Sequence, residues 1–272
     1  MSSRMSRRSF AQATGLAALG IVLDRPATLR ATQESSSRNG AVPDWWPQQD
    51  PAKAREMVTV AHFDLKRVGE LLAQQPALAN ASIDWGYGDW EDALGAAAHT
   101  GRREIAELLL AHGARISIFA AAMLGQLDVV KAFVAARPGT QRTLGPHGIP
   151  LLQHAQAGGP QAEAVAKFLE SLGDAGRRTP TQPLDASDRD AVTGKYVFGP
   201  GPRDRFVVDV RNDLLGIERP GGSRRVLAHT GALVFFPSGA PAVKIAFARE
   251  GGKVTQLTVA DPDFFVTAKR EG

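Results

Sequence analysis

Four carboxylates, Asp84, Asp89, Glu91 and Asp92, fall within the eleven residues from Ser82 to Asp92, interleaved with Trp85, Tyr87 and Trp90. Paired carboxylates can act as acid and base, but hydrolysis of a glycosidic kind needs such a pair roughly 5–10 Å apart across a cleft. Trp and Tyr offer rigid area with a polar edge, so the same loop suits sugar or peptide binding equally well. The plainer role, and the favoured one, is packing, with the aromatics filling the groove between neighbouring helical units. The loop is still the first choice for a site. The expected binding set is Trp85, Tyr87, Asp89, Trp90, Glu91, His99 and Arg102.

The six histidines stand at 62, 99, 112, 147, 154 and 229, and no two share the i, i+3 or i+4 spacing that pairs metal ligands on one helix. His62 and His99 occupy equivalent places in a repeat described below. That register could make a two-histidine ligand pair, but a reused hydrogen-bonding position at a turn is preferred, and no metal is expected. Cysteine is absent, which removes disulfides, thiolate metal sites and cysteine nucleophiles together. Ser223 and Ser238 sit in turn sequences without the Gly-x-Ser-x-Gly frame of a hydrolase nucleophile. Phosphate-binding and dinucleotide glycine patterns are missing too. The expectation is a protein that is not an enzyme, with no catalytic residue and no cofactor.

The elements that must position these residues change character along the chain. Three segments starting at Ala61, Ala98 and Ala122 align without gaps, each with a small residue ending one helix, a short turn and a second helix. The second helices carry apolar residues at i, i+3 and i+4: Val68, Leu71 and Leu72; Ile105, Leu108 and Leu109; Val129, Ala132 and Phe133. That spacing predicts one buried stripe per helix. A fourth unit opens at Gly148 and continues through Val165, Phe168, Leu169 and Leu172.

With Gly125-Gln126-Leu127-Asp128-Val129-Val130-Lys131 and Leu108-Leu109-Leu110-Ala111-His112-Gly113-Ala114, residues 52–172 resemble ankyrin repeats. The resemblance implies helix pairs side by side with a surface free for a partner protein and no reactive centre of their own. The spacing departs from the family: 37 residues separate the first two units and 24 the next two, against about 33 in the family. Trp90-Glu91-Asp92-Ala93-Leu94 also replaces Gly-x-Thr-Pro-Leu.

Residues 173–190, rich in Gly, Pro, Thr and charge, read as a linker. Beyond them the period is two, with Phe206, Val208 and Val210 facing one way and Val243, Ile245 and Phe247 repeating the pattern. Eight strands are expected at 192–198, 206–211, 214–218, 224–229, 233–237, 243–249, 254–260 and 264–269, closing into an up-and-down barrel over 191–270. Gly194-Lys195-Tyr196 and the closing strand resemble the lipocalin-like module that follows β-lactamase-like serine hydrolases. The fold class is therefore α+β multidomain, an all-α ankyrin-repeat stack followed by an antiparallel eight-stranded barrel.

Ser6-Arg7-Arg8-Ser9-Phe10, followed by the apolar stretch Ala11 to Leu23, resembles a bacterial twin-arginine export signal over 1–31, with a flexible leader over 32–51. Residues 1–31 hold five arginines against one aspartate, so the net charge of +4 resides there and the remainder is neutral. A neutral balance gives no reason to expect nucleic acid, and no apolar run reaches the ~20 residues of a membrane span. Arg203, Arg205, Arg219, Arg224 and Arg225 group loosely near strand ends, read as a solvated rim rather than an anion site. The expected function is a periplasmic or secreted adaptor that binds an unidentified protein of the bacterial envelope. A small ligand in the barrel interior is the alternative, and a carboxylate-based hydrolase at Asp84 to Asp92 a distant third.

Overall fold

Residues 42–262 and 264–272 are described by the structure, a computed structural model. The proposed signal and the first part of the leader lie outside these residues. Trp45 to Gly272 cluster as one unit.

Eight helices pair in sequence: α1 (Pro51–Val60) with α2 (Leu65–Gln74), α3 (Ala93–His99) with α4 (Arg103–Ala111), α5 (Ile118–Met123) with α6 (Leu127–Ala136), and α7 (Leu151–Ala157) with α8 (Glu163–Ser171). The first helices pack in a row, α1 on α3, α3 on α5 and α5 on α7. Alanines make that approach close, since Ala96, Ala97, Ala98, Ala120, Ala121 and Ala122 are all buried. Arg102 and Arg103 bind the units on either side. The Arg102 Nε–H donates to the His62 carbonyl at 3.1 Å, and Arg103 donates to the carbonyls of Met123 and Leu124 at 3.1 and 3.2 Å. The stripes of α2 and α4 are buried as their spacing predicts, except that Leu108 is only half-buried. The third expected stripe is a correction: Val129 and Phe133 are exposed, and α6 instead turns Leu127, Val130 and Val134 inward. Those three also obey a helical period, one step around the helix.

Between the first two pairs the chain forms a β-hairpin, β1 (Ser82–Asp84) with β2 (Trp90–Asp92), in the register Ser82↔Asp92, Ile83↔Glu91, Asp84↔Trp90. Asp92 ends it and caps α3, its carboxylate accepting from the Gly95 N–H.

The segment read as a linker carries a helix, α9 (Ala186–Val192), which packs on the barrel and sinks Val192 into its core. Eight strands follow: β3 (Gly194–Val197), β4 (Arg205–Arg211), β5 (Leu214–Glu218), β6 (Arg225–Gly231), β7 (Val234–Pro237), β8 (Lys244–Glu250), β9 (Lys253–Asp261) and β10 (Phe264–Arg270). Each pairs antiparallel with the next and β10 pairs with β3, closing the barrel. Closure leaves no free edge to template aggregation. Inward residues include Tyr196, Phe235, Ile245, Phe247 and Leu257, with the Tyr196 hydroxyl donating to the Val192 carbonyl at 2.7 Å. Phe265 is exposed: in β10 the residues Val266 and Ala268 hold the inward phase, and Phe265 falls on the other side of the pleat.

Candidate functional site

The hairpin is where helices and barrel meet, and its second arm explains how. Tyr87 and Gly88 form the hairpin's turn, both at positive φ, and beyond them Asp89 and Glu91 lie on one face of the arm while Trp90 and Asp92 take the other; Tyr87, Asp89 and Glu91 are the three that matter. Each of the three does different work. Tyr87, at the tip with φ +61°, packs against the barrel core. Its hydroxyl pKa is pushed up to about 12, by burial first and then by the charge of Asp261.

Asp89, 3% exposed, is held by His147 and Arg225. The His147 backbone N–H donates to Oδ1 at 2.8 Å, and His147 Nδ1 lies 2.8 Å from Oδ2. The Arg225 guanidinium, 6% exposed, donates to the same carboxylate and to the Ser238 carbonyl. Gly239 admits this arrangement because it lacks a Cβ, which at its φ of +84° would stand 2.4 Å from the Asp89 carboxyl carbon. The Ser238 hydroxyl donates back to the His147 carbonyl at 3.3 Å.

Glu91 points the other way along that face, into a nest of imidazoles. Its Oε1 lies 2.9 Å from His99 Nε2; its Oε2 lies 3.5 Å from His62 Nε2 and 3.4 Å from His147 Nε2. The Trp85 indole N–H donates to Oε2 at 2.6 Å. His62 and His99 are themselves 3.1 Å apart through their Nε2 atoms. Four groups thus offer ligand atoms within 4.8 Å of one another, from α1's end, the hairpin, α3's end and the 144–150 loop. That loop is pinched by a bridge between Leu144 and Pro150 and holds His147 at φ +60°.

Electrostatics follow from burial and pairing. Burial opposes a charge on Glu91, but hydrogen bonds from His147 and His99 win and hold its carboxyl down at about 2. Burial likewise opposes a charged His147, yet its bonds to Asp89 and Glu91 raise it to about 9. Two carboxylates therefore face two cations, His147 and Arg225. His154, buried behind the cluster with Nδ1 on the Pro150 carbonyl at 3.0 Å, is pushed down to about 4 by burial.

Of the expected binding set, Trp85, Asp89, Glu91 and His99 come together, Tyr87 enters the barrel mouth, Arg102 supports the His62 turn, and Trp90 is exposed. His62 does bond at a turn, its Nδ1 lying 2.9 Å from the Val58 carbonyl and 3.1 Å from that of Thr59, but it also faces His99. His147 and Gly239 were missed, and Arg225, expected on a solvated rim, is instead buried against Asp89. Asp84 and Asp92 cap backbone N–H groups of Gly86 and Gly95.

Under the hairpin tip, at the barrel mouth, a partly open cavity of about 400 Å3 is lined by Trp85, Tyr87, Phe198, Phe206, Ile217, Val259 and Val266, together with the charged Arg219 and Asp261. Arg219 stacks over Phe198 and is engaged by Asp204 and the Arg203 carbonyl. Arg224 likewise bonds Asp209, so these members of the basic group are paired. No protein-family model matches the chain, and comparison with curated proteins finds no similar sequence.

Proposed function

We propose that the protein is an exported, non-catalytic binding protein whose barrel mouth takes a small apolar molecule beneath the hairpin from its ankyrin-type helical part. The observation that carries this reading is the cavity. Its volume of about 400 Å3 falls in the usual range for small-molecule sites, roughly 300–1,000 Å3, and such sites are mostly apolar with few polar groups. Tyr196, Phe235 and Phe247 are buried in the barrel core, and the cavity lies at the mouth beside the hairpin residues Trp85 and Tyr87. The four carboxylates of the hairpin support binding over hydrolysis, because two serve as caps and two are neutralised by partners.

Saturable binding of the uncharged probe N-phenyl-1-naphthylamine tests the reading, with Val266→Trp filling the cavity and Phe265→Trp, on the outer face, as control. Binding lost in the first variant and kept in the second is expected. No saturable binding, or binding indifferent to Val266→Trp, refutes it.

A protein partner is the second reading, favoured by Val129 and Phe133, one turn apart and both exposed on α6. A partner recovered from envelope extract as well by Phe133→Glu as by the unaltered chain would not be using this face.

A further inference from the structure

We propose that His62, Glu91, His99 and His147 bind a single divalent transition ion of the zinc class. A tetrahedral zinc with bonds of about 2.0–2.1 Å holds its ligand atoms about 3.3 Å from one another. His62 and His99 Nε2 stand 3.1 Å apart, Glu91 Oε2 lies 3.4 Å from His147 Nε2 and 3.5 Å from His62 Nε2 while its Oε1 lies 2.9 Å from His99 Nε2, and one ligand atom from each of the four lies within 4.8 Å of every other. The donors are already spaced around one point.

The surroundings fix which atoms face that point. His62 Nδ1 lies against the carbonyls of Val58 and Thr59. A carbonyl only accepts, so Nδ1 carries the proton and Nε2 turns a lone pair to the centre. His147 Nδ1 lies against the Asp89 carboxylate, which likewise only accepts when ionised, and its Nε2 also points inward. The Trp85 N–H holds Glu91 from outside. A carbonyl pair behind His62, a carboxylate behind His147 and a donor on Glu91 match the outer shell that metal ligands ordinarily possess.

Without a cation, lone pairs and an anionic oxygen converge and can be reconciled only by protons; one divalent ion satisfies all four donors at once. Imidazole nitrogens with one carboxylate oxygen select zinc and its neighbours over calcium or magnesium, which need oxygen ligands. The side chains of His62 and His147 are 21% and 24% exposed, so an ion reaches the site from solvent. Two non-glycine residues with positive φ outside the barrel's tight turns, Tyr87 and His147, both lie at this junction, and strain of that kind collects at functional positions. Four protein ligands fill a tetrahedron and leave no open place for a substrate, the arrangement of a structural or regulatory ion.

The test uses the full chain, stripped with a chelator and titrated with Co2+ alone. One equivalent should give the intense visible bands of tetrahedral cobalt, and Zn2+ should bleach them. His99→Ala should weaken binding by more than the ~10–100-fold typical of losing an outer-shell partner. His62→Asn, at a more exposed position, serves if the first variant does not fold, as judged by circular dichroism. No stoichiometric cobalt band means the cluster is held by protons only and overturns the proposal, as does unchanged affinity in a folded variant. Probe binding in the barrel is read separately, so failure of one result leaves the other standing.

Discussion

Asp89→Ala is the perturbation that most directly tests how helices and barrel are joined. It removes the counter-charge of Arg225, a guanidinium 6% exposed whose other contact is the Ser238 carbonyl. It also strands the His147 backbone N–H and Nδ1, both of which reach Asp89 at 2.8 Å. Breaking a buried ion pair by deleting one partner costs about 3–5 kcal/mol, because a charge is left buried alone. For a folded unit of this size each kcal/mol lowers the melting temperature by roughly 2–4 °C, so a fall of roughly 6–20 °C is expected. The His147 ring can recover part of its loss from water, which favours the lower half of that range. Replacing both charges, as Asp89→Ala with Arg225→Met, should restore a large part of the loss, since no orphan charge remains. Urea unfolding followed by far-ultraviolet dichroism and tryptophan fluorescence gives the four corners of this cycle. Additive losses, with the double variant as unstable as the sum of the singles, would refute the claim that these charges hold one another.

Gly239→Ala should destabilise by about 1–3 kcal/mol in the same assay, since the new methyl meets the Asp89 carboxylate, whereas Gly113→Ala, with a positive φ but nothing within 4 Å, should cost less. Trp85→Phe keeps an aromatic ring but removes the N–H on Glu91, so Co2+ affinity should drop about 10–100-fold; an unchanged affinity would mean that this N–H does not hold Glu91 for the ion. Zn2+ at a hundred times its dissociation constant should stabilise the stripped protein by about 2.7 kcal/mol, seen as a higher melting temperature that a chelator reverses. The two tyrosines, Tyr87 and Tyr196, are both raised from 10.0 to about 12, chiefly by burial. Between those values the folded chain retains protons that the unfolded chain has released, so stability falls with rising pH, by up to ~1.4 kcal/mol per unit per tyrosine. Tyrosinate absorbance of the folded protein should therefore lag the free value, and titration of either tyrosine at its ordinary pKa would contradict its burial.

The barrel was legible because period-two alternation and glycine-rich turns act over a few residues, and the expected strands fall close to those observed. In β10 two adjacent phenylalanines, Phe264 and Phe265, leave the phase to be decided by the partner strand. On α6 the adjacent valines 129 and 130 left the stripe equally ambiguous, and packing chose Val130. The helix α9 was hidden by Asp188, Arg189 and Asp190, whose polarity resembles a loop; Ala191 and Val192 pack against the barrel's apolar core and Asp188 pairs with Arg249 of β8. At the site, the register of His62 with His99 was visible in the repeats. His147 was not, since it stands 48 residues beyond His99 with no local spacing to connect them. Its place depends on α7 packing against α5 and α3, which is tertiary information.

One signal was present and unused: Tyr87, Asp89 and Glu91 alternate with period two inside a stretch too short and glycine-rich to read as a strand. The structure makes Tyr87 and Gly88 the turn of the hairpin, both at positive φ, and Trp90–Asp92 its second strand. This one short segment carries three tasks: reaching the barrel mouth, pairing with Arg225, and gathering the histidines. Drawing Glu91 toward a bound ion therefore pulls on Asp89 and on the tip that roofs the cavity, and a molecule seated against Tyr87 pushes the same segment from its other end. Any coupling between ion and ligand must therefore be reciprocal: zinc should change probe affinity by the same factor as the probe changes zinc affinity. Should saturating zinc leave the probe affinity unchanged, the hairpin does not connect the two sites.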